Sequence, residues 1–338
     1  MHIKKYTIAA FILIVVVGWY VYSFVTQESI SIGFLGLTLP SMPIAVLVII
    51  PLSILYIASV AHMSFYSFIG ALKLRKHEKD HDRIVESIVD AYLGKENRSS
   101  SFKTEKYKLL GYLVDNATIF PPENFDFEVD NKKINDVLNA INSIKKGEVV
   151  DLRRYSLPYS NAYVIQNDRN RYKKGTISAE DILNGVNKFD ISLRKEVYVD
   201  FVKSAPLNAV EKYKNALTKE SLFVILSRIN ADTKTLVISN DSLISLFKDL
   251  KLTAEDYIEA SKKLSKSMLP EQRIKLFETL SNEDDAATEA YLFTLFDLEM
   301  LTPAKEILDI SQPGEYAHFK AYSSLRECGK HFDINLFI

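Results

Sequence analysis

The chain has 338 residues, a formal net charge of -1 and one cysteine, Cys328. The near-neutral balance excludes a general electrostatic nucleic-acid binder. A lone thiol excludes an intramolecular disulfide and suits a reducing compartment. Charge is unevenly spread: across residues 6–72 the only Asp, Glu, Lys or Arg is Glu28, whereas the rest is rich in Lys, Asp, Glu, Asn and Ser. With an apolar N-terminal part set aside, about 265 residues remain, enough for one large or two small domains.

Residues 6–24, YTIAAFILIVVVGWYVYSF, are uncharged and follow Lys4 and Lys5. Their length matches the ~30 Å hydrocarbon core crossed as a helix. Trp19, Tyr20 and Tyr22 end the run as an aromatic belt, and no small-residue cleavage site follows. A retained anchor is expected rather than a signal peptide.

A second apolar run covers residues 43–72, with Pro51 inside it. Proline is tolerated in membrane helices and usually kinks them. The run exceeds the bilayer thickness, so the expectation is a span over about 43–68 whose helix continues beyond the membrane. Phe65, Tyr66 and Phe68 mark the interface, and His62 falls near the polar boundary. The connecting residues 25–42 contain no Lys or Arg, whereas 73–83 carry Lys73, Arg75, Lys76, Lys79 and Arg83. That asymmetry places both termini in the cytoplasm and the short loop outside. Within the loop, ISIGFLGLTLP alternates briefly and then becomes apolar, as either a short strand or a segment lying against the membrane would.

Two spans joined by SISIGFLGLTLPSMPIAVLVIIPLSIL and followed by a basic helix resemble the lipopolysaccharide assembly protein A (LapA-type) family of bacterial inner-membrane proteins. The resemblance covers about residues 5–90. It implies a hairpin anchor, a strand-like loop, a cytoplasmic helix and an inner-membrane assembly or regulatory role, with no catalytic motif.

After the spans, residues 73–93 continue as a helix with a stripe of Ile84, Ile88, Val89 and Tyr92. GKENRSSSFK, 94–103, reads as a break or linker. A helix over 104–114 precedes the loop IFPPENFDFEVDN, whose acids at 126, 128 and 130 lack the glycine and distal glutamate of a calcium loop. Helix 131–145 ends at Lys146-Gly147. Residues 148–175 form the least regular stretch. Their mixture of bases and tyrosines fits either a surface for acidic headgroups or RNA, or packed irregular chain with solvated bases.

From residue 176 short helices follow in series: 176–183, 192–203, 207–216, 219–229, 241–250, 254–266, 271–280, 284–299, 303–310 and 314–328. Ser178 with Asp181, and Thr253 with Asp256, form capping-box starts, and Thr302-Pro303 reads as N-cap plus first-turn proline. EAYLFTLFDLEMLTPAKEIL has helices paired like a tetratricopeptide unit, but the residue pattern shows no regular period. The apolar FDINLFI at 332–338 either packs back on the last helices or anchors a partner.

The motif HEKDH, residues 77–81, matches H-E-x-x-H, which on a helix sets two imidazoles one turn apart beside a carboxylate. A zinc-protease helix is buried, yet Lys79, Asp80 and the flanks are charged, so this segment reads as a solvated juxtamembrane helix. No phosphate-binding loop, dinucleotide fingerprint or nucleophile elbow occurs, and nothing aligns Cys328 with His331 as a nucleophile pair.

The reading is thus a mainly α protein: a two-span transmembrane helical hairpin (1–72), a charged juxtamembrane helix and linker (73–103), and a cytoplasmic multi-helix domain (104–338), either an irregular bundle or α-solenoid-like. The expected role is a non-enzymatic scaffold or adaptor in the bacterial inner membrane, assembling, stabilising or recruiting an envelope complex. Expected partners are the lipid bilayer and other membrane or cytoplasmic proteins, with self-association open and no nucleic acid. No catalytic, cofactor or metal residue is assigned. The alternatives are a membrane zinc metalloprotease using His77, His81 and Glu78, or an accessory subunit of a transport, secretion or flagellar machine.

Overall fold

A computed structural model describes residues 3–31, 33–34, 37–38, 40–121, 129–231 and 233–338. The protein is mainly helical, with about two thirds of its residues in helices and almost no sheet. It divides into two compact units, Met1–Leu138 and Asn139–Ile338.

The first unit opens with α1 (Ile3–Tyr20) and a π-helical turn, Val21–Val25. Two-residue strands follow: β1 (Ser29–Ile30), β2 (Gly33–Phe34), β3 (Leu37–Thr38) and β4 (Met42–Pro43). β1 pairs antiparallel with β4, Ile30 opposite Met42, and β2 pairs with β3, so the strand-like loop takes the form of two small ribbons. Then α2 (Ile44–Tyr92) runs unbroken for 49 residues, with Pro51 inside it.

α1 with its following turn, and α2, are each long and apolar enough to cross a membrane. Their large apolar side chains face outward, among them Phe11, Trp19 and Phe24, and Ile54, Leu55, Phe65 and Phe68. Where the two helices meet, Tyr6 stacks on Tyr56 with centroids 6.1 Å apart. Gly18 lies so close to the Ile49 side chain that a Cβ there would collide with it.

The far end of α2 carries the stripe expected of it. Ile84 and Val85 are buried, and Val85, Ile88, Val89 and Tyr92 pack with Ile134 and Leu138 from the first part of α4 (Lys132–Lys145). Gly94, at φ +65°, ends α2, as its missing Cβ permits. Residues 94–103 are not the loose linker their composition suggests. Arg98 donates to the carbonyls of Val114, Asp115 and Ala117, capping the C-terminal end of α3 (Glu105–Asn116). Ser100 bonds Ser87 at 2.6 Å, and Phe102 is buried where Gly111 leaves space for its ring. Of the acid-rich loop, Asp126 and Glu128 lie outside the described residues.

The second unit continues with α5 (Ala162–Lys173), α6 (Ala179–Asn184), α7 (Ile191–Phe201), α8 (Leu207–Lys212), α9 (Lys219–Ser227), α10 (Asn240–Lys248), α11 (Ala254–Leu264), α12 (Pro270–Ser281), α13 (Thr288–Asp297), α14 (Leu301–Ile310) and α15 (Ala317–Glu327). Both proposed capping boxes form, at Ser178/Asp181 and Thr253/Asp256. A third occurs at Thr218/Ser221. α14 departs from expectation: it begins at Leu301, so Thr302 is not its N-cap and Pro303 sits inside the first turn, where the missing N–H costs nothing.

Packing within this unit follows a rule. α7 lies on α9, α9 on α11 and α11 on α13, while α10 lies on α12. α9, α11 and α13 start at Lys219, Ala254 and Thr288, close to the ~34-residue tetratricopeptide spacing. Near-regular spacing therefore holds over these three helices, where the residue pattern shows none, but does not extend to α7, which starts at Ile191. One continuous core runs through the stack, from Tyr198 through Leu222, Phe247 and Phe277 to Phe293 and Phe319.

Candidate functional site

The H-E-x-x-H segment lies on α2. His77, Glu78, Lys79 and His81 are exposed, with the His77 ring 6.5 Å from that of Tyr107. Asp80 overturns the expectation of an all-round solvated helix, because it is fully buried, at 0 % exposure. Its carboxylate accepts the Lys103 and Thr104 backbone N–H groups, at 3.0 and 2.8 Å, and the Thr104 hydroxyl at 2.8 Å. Thr104 is the N-cap of α3, and its own side chain makes no cap bond. Asp80 thus binds, from another helix, the N–H groups of the N-cap residue and of the residue before it, beside those of Lys106 and Tyr107 that a local cap would take. Burial pushes the Asp80 carboxyl up, but the bonds from Lys103 and Thr104, with the Arg83 charge, outweigh it and hold the group below its ordinary value. Among the described residues, no three His, Cys, Asp or Glu side chains gather where they could hold a metal ion.

The stretch 148–175 is more ordered than its composition suggests, because it contains α5. What hid this helix is the polarity of its buried face: Asn167, Asp168 and Asn170 are buried. Asn167 accepts from Val150 N at 2.9 Å and donates to Val150 O at 2.8 Å. Asn170 donates to the Ile144 and Glu148 carbonyls. The two amides satisfy the backbone of the incoming chain as a neighbouring strand would. Several bases have acidic partners: Arg153 on Asp151, Arg169 on Glu196 and Arg171 on Asp168, at 2.6, 2.7 and 2.9 Å. Arg154 stacks over Tyr155.

Two open clefts meet at the Asp168–Arg171 pair. One, of about 700 Å³, is lined by Val149, Leu152, Leu157, Val164 and Asn167. The other, of about 890 Å³, is lined by Asn184, Gly185, Asn187, Lys188 and Phe189. Burial raises the Asp168 carboxyl above the usual carboxylate value, against the pull of Arg171. A perturbed acid in a cleft marks a candidate site, although acids and bases balance along its walls.

A smaller crevice of about 360 Å³ lies between α1 and α2, lined by Tyr6, Ala58, Ser59, His62 and Met63. The His62 ring lies 4.6 Å from that of Tyr66, at the end of the apolar run.

Farther along the second unit, Arg273 is almost completely buried, at 1 % exposure. It pairs with Asp297 at 2.5 Å and donates to Ser261 Oγ at 2.9 and 3.1 Å. Ser261 bonds Thr294 at 2.7 Å. The network ties α11, α12 and α13 together and opens into none of the three clefts. Cys328 and His331 are both exposed. The FDINLFI segment packs back: Ile334 is buried, Phe337 contacts Tyr322, whose hydroxyl donates to the Phe332 carbonyl, and Lys262 donates to Ile338 O.

No protein family, curated protein or solved structure matches the chain.

Proposed function

We propose that the protein is a membrane-anchored docking protein that acts by binding rather than by chemistry. Residues 6–24 and 43–68 form a two-span hairpin in a bacterial inner membrane, as the likeness to LapA-type proteins implies. Both termini and the helical stack lie on the cytoplasmic side. There the stack serves as a scaffold that assembles or recruits an envelope complex.

The observation that carries this reading is the change of character along α2. Its first half exposes Ile54, Leu55, Phe65 and Phe68, which suits lipid and is costly in water. Its next turns expose Lys73, Arg75 and Lys76, the basic flank found on cytoplasmic sides. Beyond them Asp80 fastens α3 to the same helix. The stacking of α7, α9, α11 and α13, with α10 on α12, resembles α-solenoids, whose extended faces bind proteins.

Affinity purification of the full chain from membranes tests the scaffold role: a reproducible set of envelope proteins is expected, and a chain recovered alone refutes it. A reporter fused after Ile338 should be active in the cytoplasm and one inserted near Thr38 outside; the reverse pattern refutes the topology.

A further inference from the structure

The crevice between α1 and α2 gives the proposed anchor a chemical preference. Its lining joins Tyr6 and Ser59 to His62, with Ala58 and Met63 beside them. Each of the three polar groups can donate a hydrogen bond, and the imidazole keeps a ring N–H in either protonation state. His62 is exposed, with only a ring contact to Tyr66 described for it. Polar groups turned toward hydrocarbon are costly unless something polar meets them.

The surrounding charge selects that partner. Lys4 and Lys5, beside Tyr6, are exposed. Among the described residues neither makes an ion pair. Elsewhere many bases are matched, as at Arg153, Arg169, Arg171 and Arg273. Donors beside two uncompensated lysines suit an anion, and the anion a bilayer supplies near its surface is a lipid phosphate.

We propose that the crevice formed by Tyr6, Ser59 and His62 binds the phosphate of an anionic phospholipid, with Lys4 and Lys5 drawing the headgroup in. This rests on the membrane-spanning reading of α1 and α2. Ser59 and His62 contact the phosphate oxygens, and Ala58 and Met63 receive the start of an acyl chain.

The test uses the full chain in nanodiscs of mixed phosphatidylcholine and phosphatidylglycerol, released and weighed by native mass spectrometry. The wild-type chain should retain phosphatidylglycerol several-fold above its share in the disc. The double variant Ser59→Ala/His62→Ala should fall to that share. His62→Arg, which keeps a donor and fixes a cation, should hold the preference. Four results overturn the proposal: no preference in the wild type, an unchanged preference in the double variant, a lost preference in His62→Arg, or displacement of the lipid by inorganic phosphate alone, which would make free phosphate the ligand. Alkaline carbonate separates the two readings. A chain stripped from membranes by carbonate refutes the spans themselves, whereas a chain that stays while the double variant behaves as wild type, or while His62→Arg loses the preference, refutes only the crevice.

Discussion

Asp80 and Thr104 are joined twice: one carboxylate oxygen, Oδ2, accepts both the backbone N–H and the side-chain hydroxyl of Thr104, each at 2.8 Å. The pair closes a loop of chain between two helices, and it places the start of α3 against α2 rather than leaving it to a local cap.

Replacing Asp80 by alanine should therefore release α3 while sparing the second unit. Hydrogen exchange of the full chain should show faster exchange at the Lys103 and Thr104 amides and along the first turn of α3. Asparagine, which keeps one acceptor oxygen, should lie between. Unchanged exchange in Asp80→Ala would mean that Phe102 and Arg98 hold α3 without the acid.

Acid should loosen the same contact. Asp80 is held below its ordinary value, and so are Asp181 and Asp190, each chiefly by the side-chain bond from its serine partner, Ser178 or Ser192. A carboxyl lowered in the folded state lends stability that is fully present above the unfolded value, near ~4, and lost as pH falls through the lower folded value. Melting temperature should stay level from neutral pH to about 5 and drop below about 4. Asp168, raised by burial, works in the opposite sense, so Asp168→Asn should steepen the net acid loss.

The Arg273 network gives a graded series. Arg273→Ala strands Ser261 and leaves Asp297, whose side chain is 25% exposed, without its partner; it should cost at most about 3–5 kcal/mol, the result of breaking a fully buried pair. Arg273→Met, which refills the volume, should cost less. Urea unfolding of the full chain in detergent reads both. Equal losses would show that the charged hydrogen bonds rather than packing carry the site.

Deleting residues 332–338 should expose the surface that Ile334 and Phe337 cover beside Tyr322. At roughly 1.5–3 kcal/mol per large apolar side chain and about 2–4 °C per kcal/mol, melting should fall by at least about 6 °C. A chain that melts as before but loses its partners would assign the segment to binding instead.

Much of the architecture was legible because the apolar pattern is strong where it matters. Uncharged runs announced α1 and the first part of α2, and the capping chemistry of Ser178 and Thr253 located α6 and α11. α5 was illegible because its buried face is made of Asn167, Asp168 and Asn170, and a search for apolar periodicity passes over amides. The burial of Asp80 was hidden for a related reason: among Lys79, His81 and Asp82 it looks like one more solvated charge, and its partner lies 24 positions away. The near-regular spacing of α9, α11 and α13 escaped detection because stacking needs matched lengths and apolar faces, which different residues supply equally well.

The unbroken course of α2 has a mechanical consequence. At ~1.5 Å per residue the helix is about 70 Å long, against a hydrocarbon layer of about 30 Å. In the proposed membrane setting, about half of it is a stiff lever pivoting at the headgroups. A change in span tilt of about 20°, the average for such helices, sweeps its far end through roughly 10–15 Å. The Asp80 clasp rides on that lever, one turn past the basic flank, and carries α3 with it. Bilayer thickness and lateral tension thereby acquire a lever arm through which they displace a surface on the cytoplasmic side.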